Sequence, residues 1–471
     1  MKGMCFMDKN CSVILAAGEG TRMKSSLPKA MAEVLFKPMI DWVTDCVIDS
    51  GIDDICVVTG HLGNVLVDHL DGKVETVEQP QRLGTGHAVY QAKEFIEKHT
   101  GKNVLVLNGD APFINSETVK NALSYHEENG FSATVITAQI DTPYGYGRII
   151  RSENGDLLKI VEEKEASESE KAIKEVNSGA YWFRSEKVLL ALDTLIKMRE
   201  QSEDGKEYYL TDAIEILKLA NDRVGAYEAS SPEIILGAND RAQLAQLNEI
   251  ARKKELDKHL ANGVSIPFTN EVVICPGVEI GKETVILQST TLKYGTKIGE
   301  NCEIGPNSVI SNCTVGEGTL VQNSYCYDSE IGSNAQIGPF VRIRPNCKVG
   351  DNTRVGNFVE LKNSVIGNET KVSHLTYIGD SDVGEDVNFG CGCATVNFDG
   401  KNKHRSTIGD GAFIGCGTNI VSPVNIGKDG YVAAGSTIVE DVPENALAIA
   451  RNRQVNKHDW VTRKRPYRRM K

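Results

Sequence analysis

Two sets of residues in this chain could do chemistry. The first begins where a short apolar run, residues 12–17, leads into Gly18, Gly20, Thr21 and Arg22. A strand ending in a glycine-rich turn offers bare backbone N–H groups on which a phosphate can settle. Read alone, Gly-x-Gly-Thr-Arg is equally a plain strand-to-helix turn. Asp110 follows the apolar run 104–108, and Gly84-Thr85-Gly86 precedes a helical pattern. The second set lies far downstream. Arg344 and Lys362 are 18 positions apart, His374 follows, and residues 397–407 bring Asp399, Gly400, Lys401, Lys403 and Arg405 together. Paired cations suit an anion, and an imidazole with a pKa near about 6.5 can take a proton at neutral pH.

The elements that must position these groups are of two kinds. Between residues 55 and 140, apolar runs at 55–59, 74–77, 104–108 and 133–140 alternate with helical patterns at 39–49, 86–98 and 118–128. That alternation predicts an α/β fold with a mostly parallel sheet and ligands at the carboxyl ends of its strands. From residue 271 to 440 an aliphatic residue returns at every sixth position: Ile280, Ile286, Leu292, Ile298, Ile304 and Ile310 keep one phase, and Ile408, Ile414, Ile420, Ile426, Val432 and Ile438 another. Neither a helix (period 3.6) nor a plain strand (period 2) repeats at six. Short strands joined by tight corners do, and each repeat buries its aliphatic side chain only by stacking on its neighbours.

This geometry gives the downstream residues a meaning. If three hexapeptides close one coil, Arg344 and Lys362 each follow an inward aliphatic residue and stack at one corner. Like charges on adjacent coils repel, and a sugar phosphate between them would relieve this; two snorkelling surface cations remain the alternative. His374 lies two places after inward Val372 and must point outward, either free in solvent or at a site. Residues 397–407 break the rhythm, and an excursion from a rigid solenoid commonly carries function. Between about 239 and 260 the pattern is helical, with Gly263 as a stop; such a helix joins two bodies or packs on the first.

Composition narrows the class. The chain has 471 residues, too many for one core. A net charge of −12 argues against wholesale nucleic-acid binding, which needs a basic face. Twelve cysteines occur without a Cys-x-x-Cys pair, most among aliphatics, which fits small buried side chains in a reducing cytoplasm. Cys391 and Cys393 lack enough soft ligands for zinc beyond His404. No apolar run approaches the roughly 20 residues that span a bilayer, and residues 1–10 lack a signal peptide's core.

The run Leu15-Ala16-Ala17-Gly18-Glu19-Gly20-Thr21-Arg22-Met23, followed by Leu27-Pro28-Lys29, resembles the signature of sugar-1-phosphate nucleotidyltransferases. The period-six region resembles the left-handed parallel β-helix of hexapeptide-repeat acyltransferases. Together, over residues 11–451, the chain resembles the bacterial bifunctional enzymes that are both N-acetylglucosamine-1-phosphate uridyltransferase and glucosamine-1-phosphate N-acetyltransferase.

The resemblance implies a Rossmann-like nucleotidyltransferase domain at 11–238, a linker helix at 239–262, a left-handed β-helix at 263–450 and a basic tail at 451–471. It implies Mg²⁺ on Asp110 and Asn239, with Arg22 and Lys29 neutralising phosphate charge. Leu15, Ala16, Ala17, Gly18, Gln79, Gly84 and Thr85 would hold the nucleotide; Gly147, Glu162 and Asn177 would hold the sugar. By itself, the run from Glu162 to Glu165 reads as a solvated charged face. In the β-helix, Arg344, Lys362, Tyr377, Asn388 and Asn397 would bind the acetyl acceptor and His374 would be the general base. Asn397, Phe398, Cys416, Ala434 and Arg451 would meet acetyl-CoA.

Three positions depart from the pattern. Asn108 stands where relatives often carry Tyr, Phe398 replaces a Tyr, and Cys416 replaces a Ser of some relatives, the last two each removing a hydroxyl. The resemblance also implies a homotrimer with CoA sites between subunits, a cytoplasmic location and a role in cell-wall precursor synthesis, with UTP and acetyl-CoA as co-substrates. Two rival readings stand beside it: a single-activity nucleotidyltransferase with a structural β-helix, and a non-catalytic scaffold. The tail cations Arg463, Lys464, Arg465, Arg468, Arg469 and Lys471 read as a disordered run, with contact to CoA phosphates as the lesser reading.

Overall fold

The computed structural model describes residues 9–201 and 207–464. The expectations for residues 1–8 and for Arg465, Arg468, Arg469 and Lys471 lie outside these described residues. Two compact units divide the chain, residues 1–251 and 252–471.

The first unit is built on a sheet whose order is Val224–Glu228, Ala133–Gln139, Glu175–Arg184, Asn103–Asn108, Cys11–Leu15, Asp54–Thr59 and Glu75–Glu78. Cys11–Leu15 lies between two parallel partners, Asp54–Thr59 and Asn103–Asn108. A strand buried on both faces must be apolar throughout, and Val13, Ile14, Val57, Val58 and Val106 are fully buried. The sheet is mostly parallel, as expected, but Glu175–Arg184 runs antiparallel to both its neighbours. Two further expectations need correction. The strand at 12–17 ends at Leu15, leaving Ala16 and Ala17 to start the turn. The helical pattern at 86–98 is two short helices, Thr85–Gln91 and Lys93–Glu97, broken at Ala92.

The helix expected at 239–260 spans Arg241–Ala261. Asp240 starts it, its side chain accepting from the Gln243 N–H at 2.9 Å, as a first-turn cap does. Asn239 therefore stays outside the helix with its side chain available.

The second unit is a parallel β-helix of the hexapeptide-repeat kind. Val273 pairs with Thr291, Glu279 with Lys297 and Ile343 with Leu361, each 18 residues on, so three hexapeptides close one coil. The inward column of Ile286, Leu292, Ile304, Ile310, Ile343, Leu361, Ile414, Ile420 and Ile426 is fully buried. Burying one such side chain contributes about 1.5–3 kcal/mol, and it is realised only when the next coil covers it. The longer coil is the one that holds residues 397–407: Asn388 pairs with Phe413, 25 residues on. That excursion is a small antiparallel turn closed by a Phe398–Lys403 bridge. At the far end, Arg463 and Lys464 lie in the short helix Trp460–Lys464.

Candidate functional site

In the first unit, the residues expected to hold a nucleotide sit together because three elements end at one edge. Leu15, Ala16, Ala17 and Gly18 follow the central strand, and Lys29 lies on the one-turn helix Lys29–Met31. Gln79, Gly84 and Thr85 follow the strand Glu75–Glu78. With Asn108 and Asp110 they line a cavity of about 410 Å³. A Cβ on Gly18 would meet nothing within 4 Å. The fold does not need glycine there, and its bareness leaves backbone open to the cavity. Gly20 is different: its φ is +60° and a Cβ would lie 2.9 Å from Lys29 Cβ, so only glycine lets the turn close over Lys29.

A second cavity of about 460 Å³ adjoins the first, and Leu15, Thr85, Asn108 and Asp110 line both. Arg22, Gly147, Glu162, Asn177 and Asn239 line the second alone. Asn177 is presented by an irregularity in the register of its strand between Asn177 and Ala180; its amide donates to Tyr181 Oη at 2.6 Å, and its N–H reaches the Gly147 carbonyl at 2.8 Å. Glu162 is not a solvated side chain, as its acidic run suggested. It is partly buried and accepts from the Thr211 hydroxyl at 3.0 Å, and burial pushes its carboxyl up. Its neighbour Glu163 faces the other way, 2.8 Å from Arg148 Nη2.

Asp110, Lys29 and Asn239 converge on the edge of these cavities. Lys29 Nζ donates to Asn239 Oδ1 at 2.7 Å and is ion-paired with Asp110. A carboxylate and an amide oxygen thus share one cation, and that donor set suits a hard divalent ion with most of its octahedron left to water and phosphate. Gly237 approaches so closely that a Cβ would lie 2.9 Å from the Asp110 carbonyl. Gln79 donates to the Gly84 carbonyl at 3.1 Å, and the Thr85 hydroxyl accepts from Leu210 N–H at 3.0 Å.

In the β-helix, consecutive coils bring the second set together. Arg342 pairs with Glu360 and Glu360 with Tyr377, so Arg344, Lys362 and Tyr377 belong to successive coils. His374 pairs with Asn357, on the coil of Lys362. It is exposed, and its imidazole has no hydrogen-bond partner among the described residues. The expectation of two bare, repelling cations is corrected. Arg344 Nη1 holds Glu360 at 3.0 Å, and Lys362 Nζ holds Asp380 at 3.1 Å.

Asp380 is a residue the sequence did not single out. It is buried, accepts also from Asn363 Nδ2 at 2.6 Å and from the Asn397 amide, and these donors outweigh burial to hold its carboxyl low. A Cβ on Gly379 would press on the Tyr377 hydroxyl and lie 2.8 Å from Asn397 Nδ2. Tyr377 and Asn397 therefore flank one point of bare backbone.

Lys403 was named only as part of the excursion, and the structure gives it a partner the sequence did not. Its ammonium lies beside Lys362, which with Arg344 pushes its pKa below the usual lysine value, whereas Asp380 holds Lys362 above it against burial. Three cations thus share one corner. The excursion that carries Lys403 is tied by Asp399, which accepts from His404 at 2.7 Å and from the Lys401 and Asn402 N–H groups and is held down at about 2. The break in the six-residue rhythm was the available signal for Lys403.

Of the residues expected to meet acetyl-CoA, Cys416 and Ala434 lie on adjacent coils, the Gly435 N–H donating to the Cys416 carbonyl at 2.8 Å. Arg451 passes over Gly435, its Cδ 3.7 Å from a Cβ built there. Phe398 is exposed on the excursion. Asn388 pairs with Lys371 on the strand that ends in His374, and no side-chain contact ties it to the cationic corner among the described residues.

Comparison with known proteins follows this division. The family described as "Nucleotidyl transferase" matches residues 11–225, and "Bacterial transferase hexapeptide (six repeats)" matches residues 295–324 and 328–363. The chain is 48% identical to the bifunctional protein GlmU of Geobacillus sp. (strain WCH70) over 97% of this chain and 98% of that protein. It is 48% identical to that of Caldanaerobacter subterraneus subsp. tengcongensis, over 97% and 98%, and 46% identical to that of Clostridioides difficile (strain 630), over 96% and 97%.

Proposed function

The chain belongs to the bifunctional GlmU family, and from that premise we propose which residues carry each of its two reactions. It is an enzyme of UDP-N-acetylglucosamine synthesis, with an acetyltransferase and a uridyltransferase activity. The observation that carries the assignment is that each unit holds its own cluster of charged and polar groups: Lys29, Asp110 and Asn239 in one, Arg344, Lys362 and Lys403 with exposed His374 in the other.

In the β-helix the phosphate of glucosamine 1-phosphate binds the Arg344, Lys362 and Lys403 corner. Each cation brings charge-assisted donors to phosphate oxygens, and Glu360 and Asp380 offset the repulsion between Arg344 and Lys362 before the phosphate binds. His374 accepts a proton from the 2-amino group as its nitrogen attacks the acetyl carbonyl, CoA leaving as the thiol. Tyr377, Asn388 and Asn397 orient the acceptor. Cys416, Ala434 and Arg451 line the path of acetyl-CoA. Among the described residues no carboxylate orients His374, so its ring direction must be set by the substrates themselves.

In the first unit UTP occupies the cavity of Gly18, Gln79, Gly84 and Thr85, and N-acetylglucosamine 1-phosphate the cavity of Gly147, Glu162 and Asn177. Asp110 and Asn108 stand on the shared wall, which is where the α-phosphorus must lie for one phosphate oxygen to attack as pyrophosphate leaves. Lys29 and Arg22 neutralise charge on the phosphates, and Glu162 accepts from a sugar hydroxyl. Asp110 and Asn239 would hold Mg²⁺, whose chemistry is to withdraw charge from the phosphate oxygens. With Asp110 and Asn239 engaged by the ion, Lys29 would be free to turn its ammonium to the phosphates.

We further propose a homotrimer. Phe340 and Phe358 stack with ring centroids 5.3 Å apart and remain exposed, as does Leu375 on the following coil. A subunit contact would cover that column, and light scattering at working concentration tests it. No helix among the described residues is long and apolar enough to cross a membrane. A cytoplasmic location is part of the same proposal, on the ground of the substrates it names.

One assay tests the whole reading. The protein is incubated with glucosamine 1-phosphate, acetyl-CoA, UTP and Mg²⁺, and thiol and pyrophosphate are followed separately. His374→Ala should abolish thiol release from acetyl-CoA while leaving pyrophosphate release from supplied N-acetylglucosamine 1-phosphate. Asp110→Asn should do the reverse. A folded variant in which either change stops both reactions would sink the two-site assignment.

A further inference from the structure

Eleven cysteines are described, and only Cys391 and Cys416 among them are exposed. These two are neighbours. Asn388 pairs with Phe413 and Phe389 with Ile414; the same register two residues on sets Cys391 beside Cys416, and the Gly417 N–H donates to the Cys391 carbonyl at 2.8 Å. A Cβ on Gly392 would meet only Gly417 backbone, at 3.9 Å, and one on Gly390 would lie 2.8 Å from Cys416 Sγ, so that thiol leans toward the coil of Cys391. Adjacent strands run about 4.8 Å apart, within the roughly 4.4–6.8 Å between Cα atoms that a disulfide spans. The remaining described thiols are buried, and burial pushes those of Cys46 and Cys56, for instance, up to about 12.

We propose that Cys391 and Cys416 are an oxidative modification site: a reversible disulfide between coils, formed with a small disulfide as oxidant, that shuts acetyl transfer. The claim about acetyl transfer rests on the placement of Cys416 in the acyl-donor path proposed above. One cysteine thiolate attacks the small disulfide and releases one small thiol, leaving a mixed disulfide. The second cysteine thiolate then displaces the other small thiol. The protein gives up two protons and two electrons, and the small disulfide is reduced to two thiols.

The position of the bridge explains the block. Lys371 pairs with Asn388 and Val372 with Phe389, so Cys391 lies one coil beyond His374 at the same corner. Cys416 lies one coil before Ala434. A bond between the sulfurs ties Cys416, one of the residues assigned to CoA, to the coil next to the proton acceptor, where the thioester must come to rest. Cys391 itself is assigned no part in either reaction.

The full-length protein treated with oxidised glutathione, and mapped by mass spectrometry of its peptides, tests this. Wild type should show a Cys391–Cys416 link, lose thiol release from acetyl-CoA, keep pyrophosphate release, and regain acetyl transfer with dithiothreitol. Cys391→Ser should acetylate normally before and after the oxidant. Mapping that finds only glutathione adducts, a linked protein that still acetylates, or a Cys391→Ser variant inactivated like wild type would each overturn the proposal. Reduced wild type that releases no thiol at all would instead sink the acetyltransferase reading, and the mapped link would then decide by itself whether the two cysteines bond.

Discussion

Lys29 Nζ donates to Asn239 Oδ1 at 2.7 Å across 210 residues of chain, and the same ammonium is ion-paired with Asp110. The lysine thus occupies the point toward which both proposed oxygen ligands are aimed, and in free protein it would compete with a divalent cation there.

That competition can be measured. Lys29→Met should bind Mn²⁺ more tightly than wild type in the absence of nucleotide, by titration calorimetry. Its pyrophosphate release should nevertheless fall by about 10²–10³, the usual loss when one charge-stabilising donor is removed from a transition state. Acetyl transfer should not change. Weaker Mn²⁺ binding in the variant would mean that Lys29 supports the metal ligands rather than standing in for the ion.

Gly379→Ala should damage acetyl transfer alone. The added methyl presses on the Tyr377 hydroxyl and on Asn397 Nδ2, both flanking the proposed acceptor. Steady-state kinetics should show KM for glucosamine 1-phosphate rising and kcat falling, with uridylyl transfer untouched. Unchanged acetylation kinetics in a folded variant would remove Tyr377 and Asn397 from the acceptor site.

Lys403 makes the acceptor site sensitive to alkaline pH. Lys362 beside it lowers its pKa below the usual lysine value, so of the two lysines at this corner it is the first to lose its charge as pH rises. KM for glucosamine 1-phosphate should therefore climb on the alkaline side before ordinary lysines titrate. In Lys403→Met, KM should be high already at neutral pH and that early climb should vanish. A Lys403→Met profile parallel to wild type would place the lysine outside the site.

His126 should make the first unit acid-sensitive. It is buried, its Nδ1 is 2.9 Å from Thr134 Oγ1, and burial lowers its pKa from 6.5 to about 4. The unfolded chain therefore takes up a proton that the native state refuses, and stability contributed above pH 6.5 is lost as pH falls toward 4. The full shift corresponds to about 3 kcal/mol. His126→Gln should flatten this acid slope in denaturant unfolding at pH 7 and pH 5; an unchanged slope would assign the acid loss to other groups.

The amino-acid sequence determined the period of the β-helix, because each inward Ile, Val or Leu must recur wherever a short strand meets the core. It also marked the turn at Gly18 and Gly20 and the outward direction of His374, since these follow from local geometry and counting. Partnership across the chain could not be counted. Lys29 reaching Asn239, Asp380 collecting Lys362, Asn363 and Asn397, and Lys403 folding back beside Lys362 depend on which coil or strand lies next to which. The antiparallel course of Glu175–Arg184 and the break at Ala92 escaped for a related reason: an apolar run does not record its direction, and an amphipathic stretch does not record where packing interrupts it. Charge pairing was decided last, by tertiary structure alone, because a carboxylate's partner is whatever cation the fold brings within about 3 Å of it.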